Sequence, residues 1–451
     1  MINRTIYNNA RIITGTGEVI ENGAVVIEHI QKDFEPPMND EKPIKIVPSV
    51  SDKIIYVGSV EEYNEEAEEV VDVTGHTIMP GLIDCFTRLD LLNEKANDYI
   101  DNIGIAYRTY ISYRNAAEAL NSGVTTLRAE GMPNNIDIAL KDAMAKTLLF
   151  GPSILATGPV YAVTAGKGRE KYGLIEESGV DPLRAQMRIH ISRGLEGVTL
   201  QVSGDRLKSL NGEYQKQMST AEIKALTQHA KGAEKPVSAN ASGYQSIKAC
   251  IESGVDCIQQ GYRISEIHLK EMAERNISYI PCLVSTVDTE IAKEHIQTVK
   301  SAIKAGVKVV VGTDILPSEV INGTTAIIRE MELLVEAGLT PAQAVEAATN
   351  EAAKVIKSKM GIIKVGGKAD FLIIDGKPDR DITAMRKIAA VIKDGRRAFC
   401  TIAGTKERQF HIHAPLYEIS GGTSTDWTAG AVSGVKQPEN YNHIWNLIKE
   451  I

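Results

Sequence analysis

The side chains best suited to chemistry in this sequence are mostly polar and uncharged, and they fall at or beside the ends of short apolar runs. Amide and hydroxyl groups of this kind can hydrogen-bond a small ligand without a metal. The alternative is that these groups only satisfy one another. The candidate ligand-binding residues are Gln201, Asn240, Ser242 and Gln260, with Ser203 and Gln259 beside them, and the candidate catalytic residues are the charged set Asp314, Arg88 and Lys167.

Eight strand-like runs are expected to position these side chains. Between about residues 81 and 356, apolar runs alternate with amphipathic helical stretches, which is the pattern of βα units and a parallel sheet. The helical stretches include 220–231 and 340–356, and in the second Thr340 precedes proline, which predicts an N-cap with proline at the first helical position. Short β-branched runs over 5–73 and after residue 359 predict strands of a small sheet.

The predicted fold class is α/β, with a (β/α)8 TIM barrel and a small β-sandwich-like domain built from both chain ends. Residues 1–78 and 359–400 are assigned to the small domain, and 79–358 are assigned to the barrel. A segment rich in proline and charge within 31–52 predicts a surface insertion. The extension 401–451 has no fold prediction, and its His411 and His413 are the only His-x-His pair in the chain.

Composition excludes several classes of function. The net charge of -8 over 451 residues argues against nucleic acid as a partner. No leader-like segment and no apolar run of roughly 18 residues occurs, so we expect a soluble cytoplasmic protein with no membrane partner. Five cysteines without C-x-x-C spacing favour neither a disulfide framework nor a cysteine zinc site. The expected partner is a small polar molecule, and a homo-oligomer is expected.

One motif gives the sequence a family resemblance. The run M-P-G-L-I-D-C-F-T-R-L, from Met79 to Leu89, resembles the first barrel strand of the amidohydrolase superfamily, and V-G-T-D, ending at Asp314, resembles its eighth. The landmarks follow the order of the family from Thr5 to Arg397, and they look most like the imidazolonepropionase and prolidase branch. The resemblance implies a barrel that uses zinc or another divalent metal to hydrolyse carbon–nitrogen bonds.

The chain departs from the family at most of its metal-ligand positions. Members carry His-x-His after strand one, a carboxylated Lys or Glu after strand four, His after strands five and six, and Asp after strand eight. Of these ligands only Asp314 remains, and Lys167 stands where related enzymes have a histidine in T-G-G-H-G. The residues at the other family ligand positions are Phe86, Arg88, Thr199, Asn240 and Gln260, with Ser242 at the second histidine of the strand-five H-A-H.

These substitutions predict that no metal and no other cofactor is bound. A guanidinium roughly 4 Å from a divalent cation costs about 8 kcal/mol at an effective dielectric constant near 20. We therefore expect a divergent homologue, a candidate pseudoenzyme that binds a small molecule or serves as a subunit in an assembly. The alternative is an enzyme that hydrolyses carbon–nitrogen bonds through Asp314, Arg88 and Lys167, or with an atypical metal site.

Three further interpretations concern charged or nucleophilic groups near the predicted site. Arg88 is hypothesised to pair with Asp314, so that a fixed cation replaces the charge of the metal; the alternative is that Arg88 points into solvent. Strand alternation directs Cys85 towards the helices, which makes it a poor nucleophile. Arg128 and Glu130 are interpreted as a pair behind the site rather than as catalytic groups.

Overall fold

A computed structural model describes residues 4–29, 52–64, 66–91, 104–146, 148–166, 174–204 and 215–402. Lys167, His411 and His413 lie outside these ranges, as do nearly all of the predicted insertion and of the C-terminal extension. None of the helices in the described ranges is both long and apolar enough to cross a bilayer.

The strands of these ranges are numbered in chain order. They are β1 Arg4–Ile13, β2 Val19–Glu28, β3 Lys53–Ser59, β4 Glu69–Asp72, β5 His76–Pro80, β6 Leu82–Thr87, β7 Val124–Ala129, β8 Ser153–Ala156, β9 Val160–Ala162, β10 Leu174–Glu176, β11 Val198–Gln201, β12 Val237–Ala241, β13 Cys257–Gln260, β14 Ser278–Ile280, β15 Val320–Ile321, β16 Thr324–Thr325, β17 Phe371–Asp375, β18 Ile388–Lys393 and β19 Arg396–Cys400.

Strands from both chain ends share one sheet. Its order is β19-β18-β17-β5-β1-β2-β3, with β4 paired to β1. The C-terminal strand β17 lies between β5 and β18 and is antiparallel to both, with Ile373 opposite Ile78 of β5. The run F-L-I-I of β17 is buried throughout, as expected of a central strand covered on both faces. The sandwich-like form of this domain stays a prediction.

Two parallel sheets hold the strands assigned to the barrel. One has the order β10-β9-β11-β12-β13-β14 and the other β6-β7-β8. Residues 308–313 connect them, because Tyr279 N donates to Lys308 O at 2.8 Å and Cys85 N donates to Val311 O at 3.0 Å. The neighbouring strands of each sheet are parallel, so their carboxyl ends share one edge, where ligands bind in folds of this class. A closed eight-stranded barrel stays a prediction.

Helices follow most of the parallel strands and cover an aliphatic core that they share with the sheets. Their apolar faces and capping residues agree with the sequence pattern; Ser219 and Glu222, for example, form a capping box at the start of the helix predicted at 220–231. The helices are α1 Ile105–Asn121, α2 Ile136–Ala145, α3 Val180–Ser192, α4 Thr220–Gly232, α5 Tyr244–Ser253, α6 Glu266–Glu274, α7 Ala292–Lys304, α8 Ala326–Glu336, α9 Pro341–Ala347 and α10 Asn350–Val355.

The single helix predicted at 340–356 is wrong, because the chain forms α9 and α10 with a break at Thr349. The N-terminal part of the prediction is confirmed, since Thr340 caps α9 and proline follows it. At the break, Ala347 O accepts a hydrogen bond from Val311 N, and Ala348 O accepts one from Ile83 N. These carbonyls bond to strands instead of the next helical turn, so the helix ends there.

A buried carboxyl group in α8 fixes the turn that follows β14. Glu330 accepts hydrogen bonds from Leu283 N at 3.1 Å and from Val284 N at 2.6 Å. Burial outweighs these bonds and raises the pKa of Glu330 to about 8. The folded protein therefore holds a proton on Glu330 at pH values where the unfolded chain has released it.

This pKa predicts a pH-dependent contribution to stability. The contribution is fully present below about pH 4.5, the ordinary value for the group, and is lost as the pH rises to about 8. The slope in this range approaches about 1.4 kcal/mol per pH unit. Denaturant unfolding of the natural chain and of Glu330→Gln across this range should give a difference in unfolding free energy that changes with pH. If the unfolding free energies of the two proteins differ by the same amount at every pH, the predicted contribution of Glu330 is wrong.

Candidate ligand-binding site at the strand ends

The end of β6 places an aromatic ring and a guanidinium at the shared strand edge. Phe86 is buried against Ile280 and Cys282, and Arg88 is half-buried. Phe86 O accepts hydrogen bonds from Thr313 N at 3.0 Å and from Asp314 N at 2.8 Å, so the backbone carrying Asp314 is attached to the end of β6. A phenyl ring has no lone pair to give a metal, and a guanidinium stays protonated.

Asp84 makes the attachment between these segments rigid, and the sequence analysis missed it. Its Oδ1 accepts hydrogen bonds from Phe86 N at 3.0 Å and Thr313 N at 3.1 Å, and its Oδ2 lies 2.7 Å from Thr313 Oγ1. Burial raises the pKa of Asp84 to about 7. The signal in the sequence was the acidic residue inside the apolar run L-I-D-C-F, because a carboxyl group in a buried strand needs several donors.

The hydrogen bonds around Thr313 agree with a protonated Asp84. The Thr313 hydroxyl has one proton, yet both Asp84 Oδ2 at 2.7 Å and Ile315 O at 2.8 Å lie within bonding distance of its oxygen. A proton on Asp84 allows the acid to donate to Thr313 and Thr313 to donate to Ile315. Ile315 O also accepts a hydrogen bond from Thr87 Oγ1 at 2.9 Å, so the backbone on either side of Asp314 is held whether or not Asp84 carries the proton.

Two of the predicted site residues form a direct pair. Gln260 Nε2 donates a hydrogen bond to Asp314 Oδ2 at 2.6 Å. Both residues have positive φ angles, 61° for Gln260 and 57° for Asp314, a conformation that is unfavourable for most non-glycine residues and less so for aspartate. The surrounding contacts include Tyr279 and His295, which lie 3.0 Å from Gln260 O and donate to it. The carboxylate of Asp314 therefore binds a side-chain amide.

A row of amides crosses three neighbouring strands. Gln201 of β11 is the register partner of Asn240 in β12, which is in turn the partner of Gln259 in β13. Asn240 Nδ2 donates to Gln201 Oε1 at 3.3 Å, and Gln201 Nε2 donates to Ser203 O at 2.9 Å. Ser242 connects loops, because Tyr262 N donates to its hydroxyl at 3.1 Å. The structure thus brings Gln201 and Asn240 together, while Ser242 supports the backbone beside them.

A buried ion pair lies next to this row. Arg128 Nε is 2.9 Å from Glu130 Oε1, and the two side chains are only 2% and 0% exposed. Gln259 Nε2 donates to the same carboxylate oxygen at 2.6 Å. Burial raises the pKa of Glu130, while Arg128, Gln259 and Thr199 lower it and Asp314 raises it further. The pairing of Arg128 with Glu130 is confirmed, while their position behind the site and their lack of a catalytic role stay predictions.

We call the side chains at this edge the strand-end site, and their chemistry does not fit a divalent transition metal. Such metals prefer imidazole, thiolate and carboxylate ligands. Across the ranges that the structure describes, no three His, Cys, Asp or Glu side chains converge so as to hold an ion. The carboxylate of Asp314 is already hydrogen-bonded by Gln260. The strand-end site consists of Phe86, Arg88, Glu130, Thr199, Gln201, Asn240, Gln259, Gln260 and Asp314.

The thiol of Cys85 packs against a helix. Cys85 is fully buried, its Sγ lies 3.6 Å from Ala352 O in α10, and burial raises its pKa far above the ordinary range. The thiol therefore stays protonated and is a poor nucleophile. The pairing of Arg88 with Asp314 stays a prediction, and so does any contribution from Lys167.

Comparison with known proteins gives the family to which this chain belongs. Residues 77–398 match the Amidohydrolase family, and the chain belongs to that family.

Individual relatives resemble this chain over most of its length. Ochratoxinase of Aspergillus niger is 26% identical over 439 aligned positions, covering 86% of this chain and 84% of the relative. Imidazolonepropionase of Fusobacterium nucleatum is 26% identical over 72% of this chain and 83% of its own length. A crystal structure of a Xaa-Pro dipeptidase with bound methionine in the active site has a TM-score of 0.73 at 24% identity, covering 88% of this chain and 99% of that one. This structural likeness shows the fold, of the TIM-barrel type.

Proposed function

We propose that this chain is an amidohydrolase-family protein that no longer uses the metal site of the family and binds a small polar molecule in the strand-end site. The observation that carries the proposal is the 2.6 Å hydrogen bond from Gln260 to Asp314. An amide at a family histidine position occupies the one family carboxylate that remains. A metal ion would have to displace this amide, with no imidazole among these positions to compensate.

The polar side chains of the site supply what ligand binding requires. Asn240, Gln201 and Gln259 present amide groups on adjacent strands, and all three are buried. Rigid strands hold such groups more accurately than loops do. The buried ring of Phe86 adds an apolar surface at the same strand edge, as in most small-molecule sites. Binding by a homo-oligomer in the cytoplasm is part of the proposal.

The proposal predicts that the metal site can be restored by substitution. Phe86→His, Arg88→His, Asn240→His and Gln260→His together should create a protein whose melting temperature rises on addition of zinc, because a ligand that binds only the folded state stabilises it. The natural chain should show no such rise. Adding Asp314→Asn to the fourfold variant should weaken the effect of zinc. An equal rise for the natural chain would show that its own residues hold the metal.

A second candidate function is hydrolysis of a carbon–nitrogen bond without the usual metal, favoured by the relatives that carry enzyme names. It would rely on Asp314, Arg88 and Lys167. A scan of amide, lactone and cyclic-imide hydrolysis, with and without a chelator, separates the two functions. Turnover that survives the chelator and disappears in Asp314→Asn would support the second candidate. Metal-free protein without turnover would support the binding function.

A further inference from the structure

Two buried amide oxygens in the strand-end site accept no hydrogen bond within the described part of the chain. They are Asn240 Oδ1 and Gln259 Oε1, on side chains that are 6% and 0% exposed. Buried side-chain oxygens in folded proteins nearly always have a donor. Two such acceptors on adjacent strands, in register with each other, therefore point to a bound group that supplies donors.

The orientation of the Asn240 amide follows from its neighbours. Ser203 O is a backbone carbonyl that can only accept, so the group of Gln201 that lies 2.9 Å from it must be the NH2. The oxygen of Gln201 then faces Asn240, and Asn240 must present its own NH2 to that oxygen at 3.3 Å. The remaining atom of Asn240 is the carbonyl oxygen. Rotating the amide would place two acceptors or two donors face to face.

The orientation of Gln259 is fixed in the same way. Its Nε2 lies 2.6 Å from the carboxylate oxygen of Glu130, which accepts the hydrogen bond. Gln259 Oε1 is consequently the second acceptor. The two oxygens belong to strands that run about 4.8 Å apart. A planar group with two N–H donors is of a size that suits acceptors at about this spacing.

We propose that the strand-end site recognises its ligand through a planar group that bears at least two N–H donors, an amide-type NH2 or an amidinium. The inference rests on the proposed ligand-binding function and adds the chemical class of the ligand. Carboxylates and phosphates are disfavoured, because they bring further acceptors to Asn240 Oδ1 and Gln259 Oε1. Arg128 does not oppose this preference, since Glu130 pairs with it at 2.9 Å and neutralises its charge. Arg88, half-buried at the same edge, favours an anion, and the acetate probe below measures that competing attraction.

Three isosteric probes test the proposal on the full chain. Acetamide, acetamidinium and acetate have the same size and shape but carry two, four and no N–H donors. Ligand-observed NMR titration should show that acetamide or acetamidinium binds at least about tenfold more tightly than acetate, because a site built around hydrogen bonds to N–H rejects a ligand that lacks them. The comparison between acetamide and acetamidinium decides between a neutral and a cationic ligand.

Variants of Asn240 test whether its side-chain oxygen takes part in binding. Asn240→Leu removes an acceptor at similar volume and should weaken the better probe about tenfold. Asn240→Asp keeps an acceptor and should shift the preference towards acetamidinium; its melting temperature shows whether the fold tolerates a change at this position. Gln297→Leu, on the exposed side of α7, is the matched control and should change nothing.

The outcomes separate the inference from the function on which it rests. Tighter binding of acetate that is lost in Asn240→Leu would overturn the inference and leave a ligand-binding site in place. Binding of none of the probes, by natural chain or variants, would overturn both. Tighter binding of acetamide or acetamidinium than of acetate, weakened by Asn240→Leu and unchanged by Gln297→Leu, would support the inference and the binding function.

Discussion

Replacing Glu130 with leucine is expected to lower the free energy of unfolding by about 3–5 kcal/mol, because the substitution leaves the guanidinium of Arg128 buried without its carboxylate. The pair is 2.9 Å apart, and neither side chain has appreciable contact with solvent. Gln259 also loses the acceptor of its hydrogen bond. Urea unfolding followed by circular dichroism measures the loss directly.

A double-mutant cycle distinguishes the loss of the charge pair from simple loss of packing. Arg128→Met alone should also destabilise the protein, since it leaves the carboxylate buried. The double variant Glu130→Leu and Arg128→Met should recover much of the stability, because a buried ion pair can often be exchanged for apolar groups of similar volume. Additive losses in the double variant would contradict this account of the pair.

The second large effect is expected at Asp84. Asp84→Ala removes the acceptor of two backbone N–H groups, those of Phe86 and Thr313, in a fully buried place. Each buried donor left without a partner costs about 1–3 kcal/mol, so the loss is on the order of 3–5 kcal/mol. The measurement is again the free energy of unfolding in denaturant.

Asp84→Asn is the matched control for this substitution. Its Oδ1 can accept the same two N–H groups, and its Nδ2 can donate to Thr313 Oγ1, which then donates to Ile315 O at 2.8 Å. This arrangement copies that of a protonated Asp84. The expected loss is within about 1 kcal/mol, since every group keeps a hydrogen bond. A loss as large as that of Asp84→Ala would mean that Asp84 is charged in the folded protein.

The sequence predicted the family. Motif spacing was sufficient for this, because the runs that contain Phe86, Arg88 and Asp314 are short, apolar and bounded by glycine or polar residues. The N-cap at Thr340 could also be predicted, since capping depends on local residues alone.

The contacts within the site could not be predicted from the sequence. Gln260 and Asp314 are separated by 54 residues. Only the order in which β13, β14 and the segment 308–313 lie side by side brings them together. The break between α9 and α10 depends on strand N–H groups that compete for helix carbonyls, which no local propensity encodes. Asp84 was overlooked because its partners, apart from Phe86, come from the distant Thr313. Hydrogen bonds of this kind depend on register and packing, which periodicity does not specify.

The central claim is that the strand-end site works without a metal, and elemental analysis of the purified chain tests it most directly. Protein produced in medium supplemented with zinc and manganese should contain far less than one transition-metal ion per chain by mass spectrometry, and Asp314→Ala should leave that content unchanged. A stoichiometric ion in the natural chain that is lost in Asp314→Ala would contradict the account and indicate that the site uses a metal.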